Sequence, residues 1–193
     1  MKKLLLLLLI TWSLWPARAK AELPPCTEVE PQALRGWLFK AAMGPAVWTG
    51  PVGESSALGI GLTLGTGYEF LSWLAVEATW TSGLHDTRQP SPPAPGSFAT
   101  HAFHFGGRLA WPMYPFDFFV RGGAGWTWSI PNILIRIEEF DGQAKLSWLG
   151  GAGIIWHTAR KRVWLGLECN FIRAFDGFPG NWIVSTAVLG VTL

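Results

Sequence analysis

Six ionisable side chains, Lys40, Glu77, His104, Arg108, Arg121 and Glu168, fall on one side of segments that alternate between large apolar and small residues. Carboxylates, cations and an imidazole brought together could exchange protons, hold an ion, or pair with one another. Glu77, Arg108 and Arg121 occupy three successive segments at similar depth, so a pair or triad among them is expected. An ion left unpaired in a narrow interior costs several kcal/mol, which makes mutual pairing the economical arrangement. On this reading the charges form a polar network that fills and closes the inside. The sharper alternative is an ion gate that re-pairs to open a narrow pore.

Other constellations carry less chemistry. His101 and His104 are three apart, which puts them on opposite sides of a strand and removes them as joint metal ligands. The repeats Gly122-Gly123-Ala124-Gly125 and Gly150-Gly151-Ala152-Gly153 lack the strand-loop-helix setting and the following Lys-Ser/Thr of a phosphate loop, so nucleotide binding is set aside. Glycines there relieve crowding in a strongly curved sheet. No serine and acid can be placed beside His101, and without nucleophile, base and orienting group acyl transfer has no argument. No catalytic residue, cofactor or metal ligand is predicted.

The elements that must position these side chains are strands. Residues 58–68 read Leu-Gly-Ile-Gly-Leu-Thr-Leu-Gly-Thr-Gly-Tyr, an alternation with one greasy and one small or polar face. The pattern recurs and predicts eight strands at 36–48, 56–68, 73–83, 98–111, 116–128, 145–157, 162–173 and 182–193. Apolar sets such as Phe118, Val120, Gly122, Ala124, Trp126 and Trp128, or Ile183, Ala187, Leu189, Val191 and Leu193, share a side. Such faces suit an all-β, eight-stranded antiparallel up-and-down transmembrane β-barrel, apolar outside and tightly filled inside. A soluble lipocalin-like barrel is the alternative fold. Trp37, Tyr68, Trp111, Trp126, Trp128, Trp148, Trp156 and Trp182 are expected in aromatic girdles at the membrane interfaces, which accounts for most of the thirteen tryptophans.

Connections at 69–72, 112–115 and 158–161 are short, as periplasmic turns are, and two of the other four are long, as surface loops are. The second outer loop, 84–96, holds a proline-rich run that cannot pair as a strand. The third carries an Asp141-Gly142 turn between alternating segments, read as a projecting hairpin and contact surface. The basic turn Arg160-Lys161-Arg162 is read as solvated and close to phospholipid headgroups.

Lys2-Lys3, an apolar run from Leu4, and Ala17-Arg18-Ala19 or Ala19-Lys20-Ala21 read as a signal peptide over 1–21. Residues 22–35 are then an N-terminal periplasmic segment and 36–193 the barrel. Losing residues 1–21 removes four cations and no acid, so the formal +2 becomes −2 and no nucleic-acid footprint remains. Cys26 and Cys169 could pair in an oxidising periplasm, but Cys169 shares a face with Leu165, Leu167 and Phe171 and is read as an inert, lipid-facing thiol.

The stretch Pro115-Phe116-Asp117-Phe118-Phe119-Val120-Arg121-Gly122-Gly123-Ala124-Gly125-Trp126, the repeat at Gly150 to Ile154, and Val163-Trp164-Leu165-Gly166-Leu167-Glu168-Cys169 resemble the small outer-membrane barrels of the OmpA, OmpX and OmpW type. The chain departs at Leu193, where such proteins usually end in an aromatic residue. By this likeness, Lys40, Glu77, Arg108, Arg121 and Glu168 form the polar lumen network. The resemblance also implies a place in the Gram-negative outer membrane with both chain ends periplasmic. It implies contact with lipid and lipopolysaccharide, with envelope partners met through loops or turns. Because the chain stops at Leu193, no peptidoglycan-binding domain is expected. Roles known for such barrels are envelope stabilisation, surface interaction and anchoring, with small-solute or apolar-solute channels and parts of larger machines such as gliding-motility complexes as alternatives. Lipid A-modifying activity is disfavoured, since His157-Thr158-Ala159 lacks the His-x-Ser of the deacylases. The pair His85-Asp86 lacks the second acidic pair of an outer-membrane protease.

Overall fold

A strand with one apolar and one small or polar face has to bury the second against something, and a narrow barrel does so by turning every such face inward. In a computed structural model of the protein, residues 36–88, 96–113, 115–130, 144–158, 162–175 and 180–193 are described. They form β1 (Trp37–Thr49), a short helix α1 (Pro51–Ser55), β2 (Gly59–Leu71), β3 (Leu74–Asp86), β4 (Ser97–Met113), β5 (Phe116–Ile130), β6 (Lys145–His157), β7 (Val163–Ala174) and β8 (Asn181–Thr192). Each strand pairs antiparallel with the next, and β8 pairs with β1, closing an eight-stranded barrel as the alternation predicts. The closing ladder runs from Leu38↔Thr192 to Thr49↔Asn181 and skips Gly44 and Pro45, the latter having no N–H to offer.

Burial alternates strictly along most strands. In β5, Phe119, Arg121, Gly125, Thr127 and Ser129 are buried while Phe118, Val120, Gly122, Ala124 and Trp126 are exposed. Cys169 lies on the exposed face, where it accepts a weak hydrogen bond from Ser185 Oγ at 3.4 Å. Glycines of the two Gly-Gly-Ala-Gly repeats divide by face. A Cβ on inward Gly153 would lie 2.5 Å from the Phe119 ring, whereas one on outward Gly122 would meet nothing closer than 3.8 Å. Crowding therefore accounts for the first and not for the second.

The strand pattern differs from expectation in three places. Residues 51–55 wind into α1, β2 begins at Gly59, and it runs on to Leu71, with a register irregularity between Glu69 and Leu71. The turn is Ser72-Trp73, so Glu69 belongs to the barrel wall and not to the turn. Strands β3 and β4 continue past the expected ends to an Asp86↔Ser97 pair. Trp182 is not a girdle residue: it points inward and is 0% exposed, because it alternates with outward Ile183. The expected signal peptide, the segment 22–35 with Cys26, the proline run, the Asp-Gly hairpin and most of the basic turn lie outside the described residues.

On the outer face, Trp37 packs edge-on to Tyr68 and Tyr68 to Phe70 near one end, with Trp73, Trp111 and Trp156 at the same level. Towards the other end, His101 stacks on Trp80 (5.9 Å between rings) and meets Trp128 (5.6 Å). The first belt surrounds the end with the connections after β2, β4 and β6, the short-turn end. The second surrounds the long-loop end, where α1 lies.

Candidate functional site

The inward faces stack into three layers along the lumen. In the middle layer, Lys40 on β1 reaches two carboxylates from opposite walls, with Nζ 2.9 Å from Glu77 Oε2 and 3.2 Å from Glu168 Oε2. Arg121 on β5 grips the same pair, Nη1 at 3.4 Å from Glu77 Oε2 and Nη2 at 3.1 Å from Glu168 Oε1. Its Nε donates to Asn170 Oδ1 at 2.8 Å, and Asn170 Nδ2 donates to Glu168 Oε1 at 3.0 Å. Arg108 places Nε 3.2 Å from Glu77 Oε1, pairs through Nη2 with Glu69, and lies over the Phe119 ring at 5.8 Å.

Three cations thus meet three carboxylates, and the side chains come from β1, β2, β3, β4, β5 and β7. Charges this deeply buried are tolerable only when paired and hydrogen-bonded, and removing one partner typically costs about 3–5 kcal/mol. Small residues make the room. A Cβ on Gly65 would lie 2.7 Å from Lys40 Cε, and one on Gly151 would lie 2.4 Å from Asn170 Oδ1.

The structure brings Lys40, Glu77, Arg108, Arg121 and Glu168 together. His104 is placed differently: it is buried but makes no ion pair with them, and its Nε2 lies 3.0 Å from Ser147 Oγ, which accepts from Thr127 Oγ1 at 2.8 Å. Two members escaped the sequence reading. Asn170 follows Glu168 by two residues and so shares its face, a signal present in the alternation. Glu69 continues the inward parity of β2, although in sequence it reads as the start of a turn.

At the long-loop end the lumen is closed by aromatic rings. Trp48 and Trp182 stack 5.9 Å apart at 13°, and Trp182 Nε1 donates to His85 Nε2 at 3.2 Å. His85 stacks on Phe98 at 5.3 Å, and its Nδ1 lies 3.4 Å from Ala57 O. With Nε2 accepting, the ring proton sits on Nδ1 and faces that carbonyl. Val52 of α1 is buried in the same cluster. At the short-turn end Phe119, Ile155, Trp164 and Val188 pack together, and His157 Nε2 pairs with Asp117 Oδ2 at 2.6 Å near the rim.

Chemically, this interior holds charges in place. No described hydroxyl or thiol stands within hydrogen-bond reach of a histidine that is itself oriented by a carboxylate. Among the described residues, no group of three or more His, Cys, Asp or Glu could hold a metal ion. His101 and His104 lie on opposite faces of β4.

Solved structures resemble this architecture over most of its length. Neisserial surface protein A is 13% identical, with a TM-score of 0.63, over 82% of this chain and 97% of that one. Ail, the attachment invasion locus protein of Yersinia pestis, is 14% identical with a TM-score of 0.54, over 82% and 99%. The N-terminal β-barrel domain of Pseudomonas aeruginosa OprF is 10% identical with a TM-score of 0.54, over 82% and 98%. The fold is that of the small outer-membrane β-barrels. At these identities the likeness concerns the fold alone. No protein-family model and no curated protein matches the sequence. Ail has also been solved in complex with the heparin analogue sucrose octasulfate, a ligand of that protein.

Proposed function

We propose that this chain is a non-enzymatic barrel of the bacterial outer membrane that works through its outer surface, loops and turns. Its role is structural, surface-interacting or anchoring within the envelope. The observation that carries this reading is the blocked lumen: an aromatic plug, a charge-balanced ionic layer and an apolar plug in series. A solute passing along the lumen would have to displace the buried side chains of each layer. Both chain ends belong on the periplasmic side, with residues 1–21 as the export signal and the long-loop end outside. The exposed apolar wall and its aromatic belts meet lipid, and the outer belt meets lipopolysaccharide. Neisserial surface protein A and the attachment invasion locus protein Ail, of the same fold, make a surface-interaction role a natural one for loops mounted on this frame.

Planar-bilayer recording tests the closed lumen. The wild-type barrel is expected to give no discrete single-channel steps. Steps that change with Glu77→Gln and Arg121→Gln would replace this reading with a narrow channel whose ionic layer is the gate. Mild-detergent extraction from native membranes then separates an anchor, which brings a defined set of envelope proteins, from a stand-alone barrel, which brings lipid.

A further inference from the structure

Two buried polar atoms of the lumen, Glu77 Oε1 and His104 Nδ1, have no hydrogen-bond partner among the described residues. Glu77 Oε1 lies 3.2 Å from Arg108 Nε, an ion-pair contact without hydrogen-bond geometry. Their residues are only 4% and 2% exposed. Glu77 and His104 both line one small cavity, together with Thr79, Arg121, Leu149 and the backbone of Gly106, Gly107, Gly122 and Gly123. Burying a polar atom without a hydrogen bond typically costs about 1–3 kcal/mol, so two such atoms on residues that line one cavity call for a shared partner.

Size and charge select that partner. The cavity leaves about 10 Å³ for the centre of a water molecule, close to the roughly 10–15 Å³ that a single water needs. A cation there would crowd Arg121, and an anion would crowd Glu77. We propose that one ordered water molecule sits in this cavity, accepts from His104 Nδ1–H and donates to Glu77 Oε1.

The direction of the protons follows from the neighbours. Thr127 Oγ1 donates to Ser147 Oγ at 2.8 Å, which leaves the Ser147 proton for His104 Nε2 at 3.0 Å. An Nε2 that accepts puts the ring proton on Nδ1, facing the cavity. Thr127, Ser147, His104 and the water then form a one-way relay whose every proton points towards the Glu77 carboxylate. Each bond polarises the next, and the relay joins the Thr127 and Ser147 hydroxyls to the ionic layer. His104 thereby belongs to the network through water and not through charge. The assignment holds whether or not the lumen conducts.

Solid-state NMR of the full chain, labelled with ¹⁵N-histidine and folded in lipid bilayers, reads both halves of the proposal. The expected His104 signature is a protonated Nδ1 and a bare Nε2 at neutral pH, with magnetisation passing from water to Nδ1–H. An Nε2–H tautomer, a doubly protonated ring, or an Nδ1–H without transfer from water overturns it. Thr127→Val removes the donor that commits the Ser147 proton. That variant is expected to lose the Nδ1–H preference and populate Nε2–H, and an unchanged tautomer overturns the relay. Should the variant not fold, the wild-type spectrum decides alone.

Discussion

Glu77 is the residue on which the interior turns, because Lys40, Arg108 and Arg121 all approach its carboxylate. Neutralising it leaves Lys40 and Arg121 sharing Glu168 and leaves Arg108 with Glu69 alone. Glu77→Gln is therefore expected to lower the stability of the folded barrel by about 3–5 kcal/mol, read as a shift of the urea midpoint in lipid vesicles. A loss no larger than that of an exposed-charge substitution, within roughly 0.5 kcal/mol, would show that the ionic layer does not hold the barrel together. Replacing Lys40, Glu77, Arg121, Glu168 and Asn170 together by apolar residues of similar volume is expected to be neutral or stabilising, since neither an uncompensated ion nor an orphaned amide remains. The contrast between the single and the fivefold change separates pairing from mere filling. At this scale the residue types were legible in advance, and their partners were only partly so. Alternation names Glu168 as inward, but it does not say that Asn170 will bridge it to Arg121.

At the scale of the strand, the two faces obey different packing rules, and glycine exposes the difference. Gly151 and Gly122 both belong to Gly-Gly-Ala-Gly runs and sit on neighbouring strands, yet they face opposite ways. A methyl group on Gly151 would press on Asn170 Oδ1 and approach Arg121 Nε at 3.2 Å. Gly151→Ala is expected to cost about 1–3 kcal/mol by overpacking, whereas Gly122→Ala, whose Cβ would make only an ordinary contact with Leu149 O at 3.8 Å, is expected to be neutral or slightly stabilising. Equal effects in urea titration would contradict the assigned faces. The local pattern sufficed to place every strand, and it misjudged ends, connections and the face of Trp182. Helix α1 escaped because Pro51 to Ser55 is one turn long, too short for periodicity to register, and is held by burying Val52 under the aromatic plug.

For the molecule as a whole, the spacing of the aromatic belts measures the membrane it fits. Trp111 and His101 lie ten positions apart along β4. At about 3.3 Å per residue and a strand tilt near 40°, that is about 25 Å of height, the depth of an outer-membrane apolar band. The outward side chains between them, Phe103, Phe105, Gly107 and Leu109, are all apolar. Ala124 lies half-way, paired with Phe105, and Val163 lies at the short-turn end of β7. Ala124→Lys is therefore expected to destabilise the barrel in bilayers by about 2–4 kcal/mol and Val163→Lys by about 0–1 kcal/mol. A reversed order would move the membrane away from the belts.

The sequence by itself determined the number of strands, the side on which nearly every residue falls, and the apolar exterior, because a two-residue period is written in neighbours along the chain. It also placed five charges inside one lumen. What only the tertiary structure decided is which inward residues meet, since that depends on how the eight strands are staggered when β8 closes on β1. The stagger brings Trp182 onto His85 across 97 positions of sequence and Lys40 onto Glu168 across 128. It also sets His104 against Ser147 and not against the charges with which its parity groups it. No local pattern encodes that stagger, because it is set by the filling of the closed interior as a whole.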